Sequence, residues 1–195
     1  MLNYPFLLYV FAVTSTPGPG NLAHMAVGQT LGLRKALPFW AGTATGLVFT
    51  NIALAFGLGE LLMASETAFT VIRVCGTAYI LYLAWKVVRM NINPPDASER
   101  SFAFRDGLLI HPLNPKGWAV SVVGFAQFSN PDLPLTPQFL AFAATYTVSL
   151  VFFHGLWCVA GASLVRLLRS DRVRVAVNCT VALVMVGATL RALMG

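Results

Sequence analysis

Two short runs in this sequence carry its backbone chemistry, "TPGPGN" at residues 16–21 and "LNPKGW" at 113–118. Pro17 and Pro19 remove backbone donors and Gly18 and Gly20 relax the chain, so a helix arriving from either side must stop and leave N–H and C=O groups unpaired. Pro115 acts the same way in the second run, with Lys116 after it and Asn114, which carries both donor and acceptor groups, before it. A helix N-terminus offers N–H groups and partial positive charge to a carboxylate, and a helix C-terminus offers carbonyls to an ammonium or a coupling ion. Two such breaks suit a zwitterion. Pro17, Gly18, Pro19, Gly20, Asn21, Asn114, Pro115 and Lys116 are therefore the candidate binding residues. Three histidines could handle protons at such a site: His24 after the first break, His111 in the half-helix just before Asn114, and His154 mid-way along the fifth span in "VFFHGLW". Each histidine taken alone is better read as a hydrogen-bonded packing residue.

The elements that hold these residues belong to a bilayer. Of 195 residues, 57% are hydrophobic and 10% charged, and the mean hydropathy is +0.72. Residues 1–33 hold no Asp, Glu, Lys or Arg, and residues 117–165 hold only Asp132. No basic stretch precedes the first apolar run, so it reads as a span and not as a cleavable signal. At roughly 20 residues per crossing, six spans fall at 2–29 (broken), 37–58, 67–88, 104–128 (broken), 137–164 and 173–193. With a rise of about 1.5 Å per residue, both breaks lie near the middle of a roughly 30 Å apolar core. A lysine at that depth costs about 2.5–3.5 kcal/mol and persists where it is paired or wetted. Lys116 is accordingly expected to face a cavity.

Charge sets the orientation. The joints after spans one, three and five hold Arg34, Lys35, Lys86, Arg89, Arg100, Arg105, Arg166, Arg169, Arg172 and Arg174, while the other side holds Arg191. Basic joints stay in the cytoplasm, which places both termini in the periplasm. The net charge of +6 is thereby explained as topology, and nothing is left to support a nucleic-acid partner. The second half repeats the pattern of the first, a proline-broken helix followed by a proline-headed span and a third span closing at Arg89 or Arg191. The expected fold is all-α, a single transporter domain of six transmembrane helices arranged as two inverted three-helix repeats, about 1–98 and 99–195, with the first and fourth helices broken.

Other chemistries find little support. Cys75, Cys158 and Cys179 form no CxxC and read as small buried hydrophobes. An intramembrane enzyme would need a nucleophile with its base, and neither Gly-x-Ser-x-Gly nor HExxH occurs. A metal-ion exporter would need several carboxylates, thiolates or spaced histidines at one depth. No metal site and no cofactor is expected, and both alternatives rank below a metabolite exporter. Gly42 and Gly46 form a small-x-x-x-small face for close helix packing, within the chain or between subunits of a homo-oligomer. Arg73 reads as a partner for Glu66 or another outward acid.

The runs "TPGPGNLAHMAVGQTLGLRKALPFWAGTATG", "GTAYILYLAWKVVR" at 76–89 and "LNPKGW" together resemble the LysE/RhtB family of amino-acid exporters. The likeness spans essentially the whole chain, and Pro17, Gly18, Pro19, Asn114, Pro115 and Lys116 match the family's motif positions. It implies an inner-membrane protein that exports amino acids or related metabolites by proton antiport. Many relatives carry an acidic residue after the Gly-x-x-x-Gly, where this chain has Leu47. A second substrate cation would then lack its counter-charge, so small neutral amino acids such as threonine, homoserine or branched-chain ones are the expected cargo.

Overall fold

The computed structural model describes residues 2–92, 102–167 and 171–194, and among these the chain is entirely helical, with no strand. Helix α1 (Tyr4–Ser15) is capped by Asn3, whose side-chain oxygen accepts from Phe6 N–H at 3.0 Å. It stops where the sequence requires. Thr16 precedes a proline, which disfavours helical backbone, and both Thr16 and Gly18 are extended. Helix α2 (Pro19–Ala55) then starts with a proline in its first turn, where the missing N–H costs nothing.

Helix α2 is broken internally at Gly32, whose φ of 72° and ψ of 169° no other residue adopts readily. The expected joint at 31–38 is thus a one-residue break, and Arg34, Lys35 and Pro38 lie inside the helix that follows it. The joint expected at 59–66 is also mostly helical. Gly57, in the left-handed conformation, reverses the chain into the short helix α3 (Leu58–Ala64) before α4 (Glu66–Ile92). Beyond the undescribed stretch come α5 (Phe104–Leu108), a run of turns, α6 (Pro115–Phe128), α7 (Leu135–Leu167) and α8 (Asp171–Met194).

Three helical stretches are long and apolar enough to cross a membrane, Pro19–Ala55, Glu66–Val88 and Leu135–Leu164, and Tyr4–Ser15 is a shorter apolar helix. Exposed side chains such as Phe11, Phe49, Phe56, Val148, Phe152 and Leu183 give the outside a greasy surface suited to lipid. Cys158 is buried, whereas Cys75 lies on that exposed surface and Cys179 is half-buried, so only the first fits the expectation of a core residue. The expected repeat boundary near 98 and Arg100 and Arg169 fall outside the described residues, as do the side chains of Arg89, Arg166, Arg172, Arg174 and Arg191.

Helices pack closely where glycines face backbone. A Cβ on Gly28 would lie 2.2 Å from the Cys158 carbonyl oxygen, and one on Gly161 would lie 2.0 Å from that of Met25, so α2 and α7 touch main chain to main chain. Gly42 and Gly46 face the carbonyls of Phe104 and Leu108 in the same way, and Gly107 answers them by facing Phe39 and Thr43. The small-residue face is used inside the chain, to seat α5 against α2. Two apolar clusters fill the remaining interior, one around Leu22, Val27, Phe39, Leu83 and Phe102, the other around Phe6, Val10, Leu47, Phe142 and Tyr146.

Candidate functional site

The two breaks line one cavity. Gly18, Pro19, Gly20 and Asn21 from the first meet Asn114, Lys116 and Gly117 from the second, with His111, Tyr146 and His154 completing the wall, around a space of about 40 Å³. Pro17 and Pro115 are not part of that lining, although they set the breaks that form it. Lys116 reaches across from one break to the other: a methyl group on Gly18 would lie 3.8 Å from its Nζ. The first turns of α2 and α6 both open here, so a carboxylate in the cavity meets two helix N-termini and one ammonium. Asn114 occupies the N-cap position of α6, but its side chain makes no capping hydrogen bond.

The other half of the expected chemistry is arranged differently. Carbonyls at the end of α1 were expected to receive an ammonium, yet the Asn21 amide already donates to Thr14 O at 2.9 Å and Thr16 O at 2.8 Å, and Trp157 Nε1 donates to Ser15 O at 3.3 Å. The C-terminal turn of α1 is therefore satisfied from within the protein. The buried acceptor without a protein partner at this point is Asn21 Oδ1. A side chain now stands where backbone was expected.

The three histidines, read singly from the sequence, form one stack. His154 of α7 lies between His24 of α2, at 4.0 Å between ring centroids and 9° between planes, and His111, at 5.4 Å and 29°. His111 sits in the turns between α5 and α6 and not in the half-helix that the sequence suggests. All three are buried, and His24 is held by Gly20 O, 2.9 Å from Nδ1. His24 Nε2, His111 Nε2 and His154 Nδ1 have no hydrogen-bond partner in the protein. His24 thus keeps one hydrogen bond of the kind expected of a packing residue, and each ring has one buried nitrogen without a protein partner, which is costly in a purely structural role. Parallel rings aim their lone pairs within separate planes, and among the described residues no group of three His, Cys, Asp or Glu could hold a metal ion. The stack touches the cavity through His111 and His154 and carries on to His24 behind them.

Sequence reading missed what fixes the second break. Asp106 is 4% exposed and pairs with Lys86 of α4 at 2.6 Å, while its other contacts are Ala103 N–H at 2.7 Å and the Tyr82 hydroxyl at 3.4 Å. The Tyr79 hydroxyl donates to the Asp106 carbonyl. Gly76 lets α4 approach the break itself, since a Cβ there would lie 2.0 Å from Leu113 O. Gly76 and Tyr79, at the head of the run "GTAYILYLAWKVVR", are thus the brace of α5 and of the turns that carry His111. On the far side of the break, Trp118 Nε1 donates to Pro112 O at 2.9 Å.

None of the described residues lining the cavity is acidic. Leu47, where an acid would have stood, is buried in the cluster that includes Tyr146 and Leu150, both cavity residues.

Comparison with known proteins identifies the family. The family model described as LysE type translocator matches residues 11–195. The chain is 30% identical over 179 residues to an uncharacterized membrane protein of Vibrio cholerae, covering 89% of this chain and 87% of that one. It is 30% identical over 163 residues to a cysteine/O-acetylserine efflux protein of Klebsiella pneumoniae, with 80% of each covered. It is 27% identical over 150 residues to a homoserine/homoserine lactone efflux protein of Salmonella typhimurium, with 74% and 73% covered. No solved structure matches. The relatives with a stated activity are efflux proteins and not enzymes, and an apolar helical chain with converging helix breaks fits that class. This chain, a membrane transporter and not an enzyme, belongs to the LysE type translocator family.

Proposed function

We propose that the protein exports small neutral amino acids or close derivatives from the cytoplasm, in exchange for protons. The observation that carries this reading is the single cavity shared by both helix breaks, Lys116 and the histidine stack. The substrate carboxylate lies against the N-termini of α2 and α6 and the Lys116 ammonium, where donors and positive charge converge. Its ammonium faces Asn21 Oδ1 and the histidine ring nitrogens that have no protein partner. A neutral side chain needs nothing more, and the small cavity favours a short one. Cysteine, O-acetylserine and homoserine, named for the relatives, all have neutral side chains.

His111, His154 and His24 carry the proton. A histidine that takes up a proton at the cavity adds a positive charge and loses an acceptor, so it repels the substrate ammonium and promotes release. The reading places the chain in the inner membrane with both termini periplasmic, as two inverted repeats of about 1–98 and 99–195. Tyr4–Ser15 with the part of α2 before Gly32 makes the first crossing, and the part after Gly32 makes the second.

In proteoliposomes with an imposed proton gradient, labelled threonine, homoserine, O-acetylserine or a branched-chain amino acid should move faster than labelled lysine. Lysine moving as fast as these would overturn the acid-free site. A gradient without effect on any of them would overturn proton exchange.

A further inference from the structure

A second cavity, of about 290 Å³, lies at the opposite end of the helices from the Lys86–Asp106 pair, between the end of α2, α3, α6 and the start of α7. Its wall is apolar, built from Val122, Phe125 and Phe139 among others, with two hydroxyls, Ser121 and Thr136, and one carboxylate, Glu60. Among the described residues Glu60 has no ion pair. The cavity is several times the size of the central one and approaches the dimensions of small-molecule sites. The two spaces are neighbours. Val120 lines the central cavity and Ser121, the next residue of α6, lines the second.

An apolar chamber with one unpaired carboxylate selects a cation with an apolar body. Glu60 is itself exposed, so its carboxylate meets the hydrated end of such a cation, while the aromatic walls take up the apolar body and offer a negative ring face. An anion gains nothing there, because no lysine or arginine lines the space. On the basic-joint orientation, the chamber lies on the periplasmic side of the central site.

We propose that this chamber is a binding site for primary ammonium compounds with an uncharged body, with Glu60 as the residue that holds the ammonium. An amino acid leaving the central site carries a carboxylate and is not such a compound, so the assignment is independent of the export reading above.

The test is cysteine labelling of the purified full-length protein in detergent, with Cys75, Cys158 and Cys179 replaced by serine and Thr136→Cys as the reporter. Phenethylammonium should slow maleimide labelling of that cysteine, and phenylacetate and benzyl alcohol should not. Glu60→Gln should weaken the protection by about tenfold, the equivalent of one charge-assisted hydrogen bond, and Glu60→Asp should retain most of it. Protection by all three compounds alike, or protection that survives Glu60→Gln, would overturn the assignment, as would no protection by phenethylammonium. Labelling is read without transport, so Lys116→Ala should leave it unchanged. Loss of the chamber's selectivity and loss of export are therefore separate results.

Discussion

Lys86→Met should destabilise the fold by about 3 kcal/mol, the lower end of the cost of breaking a buried ion pair. The size follows from what Asp106 has left. Its Oδ2 accepts from Lys86 at 2.6 Å and from Ala103 N–H at 2.7 Å, and its Oδ1 has only the Tyr82 hydroxyl at 3.4 Å. Deleting the ammonium strands a carboxylate at 4% exposure with one peptide donor and one long hydroxyl contact. Lys86 is 13% exposed, enough for some water to reach the pair, and this keeps the cost at the lower end of the range. The reverse change is milder. In Asp106→Asn the amide oxygen still accepts from Ala103, and Lys86 keeps the rings of Phe102 at 4.8 Å and Tyr82 at 5.9 Å, so about 1–2 kcal/mol is lost. The double variant removes both charges and should be more stable than Lys86→Met alone. Thermal unfolding of the purified protein in detergent reads this order directly, at about 2–4 °C per kcal/mol for a chain of this size. Equal small shifts for both single variants, or a double variant that is worse than either, would refute the argument that Asp106 is a buried charge held by its partner.

Lys116→Ala should lower export by about 10- to 100-fold, the worth of a charge-assisted hydrogen bond to the carboxylate, with membrane insertion unchanged; Pro17→Ala should also reduce it, by restoring helix through the first break, and wild-type rates from both in a proteoliposome assay would move the site elsewhere. His154→Phe keeps a stacked ring between His24 and His111 but removes both nitrogens, so substrate counterflow should persist while proton-driven export falls. Gly161→Ala forces a methyl group to within 2.0 Å of the Met25 carbonyl and should cost about 1–3 kcal/mol, seen as a lowered melting temperature. Reporter fusions at the C-terminus should be active only in the periplasm, and cytoplasmic activity would refute the orientation read from the basic joints.

Much of the site was legible in the sequence because proline and glycine act on the backbone itself. Pro17 follows the last turn of α1, and Pro19 and Pro115 open the first turns of α2 and α6, so the breaks at 16–18 and before α6 could be placed without knowing the fold. Joints were read less well. A polar run such as 31–38 looks like a loop, but one glycine at positive φ turned the chain and left Arg34 and Lys35 free to continue as helix. The histidine stack was out of reach, because residues 24, 111 and 154 become neighbours only through the contact of α2 with α7 and of α5 with α2. Asp106 was overlooked for a related reason. It sits in the first turn of a short helix, where an acid is ordinarily a solvated dipole partner, and only the approach of α4 buries it.

The distribution of charge in the interior shows how the fold divides its tasks. The one ion pair among the described residues, Lys86–Asp106, braces α5 at the end of the helices from which the chain enters the second break. The central cavity has a cation, two helix N-termini and neutral acceptors, but no acid among its described lining residues. A fixed carboxylate there would compete with the substrate carboxylate for Lys116 and would close the site on itself as a salt bridge. Histidines avoid this. On the export proposed above, the neutral rings accept from the substrate ammonium and leave Lys116 available, and the protonated rings repel it, so one group would serve both for holding and for release. The same proposal gives a reason for Leu47, since an acid in the cluster that includes Tyr146 and Leu150 would stand behind the cavity's wall and hold a cation there.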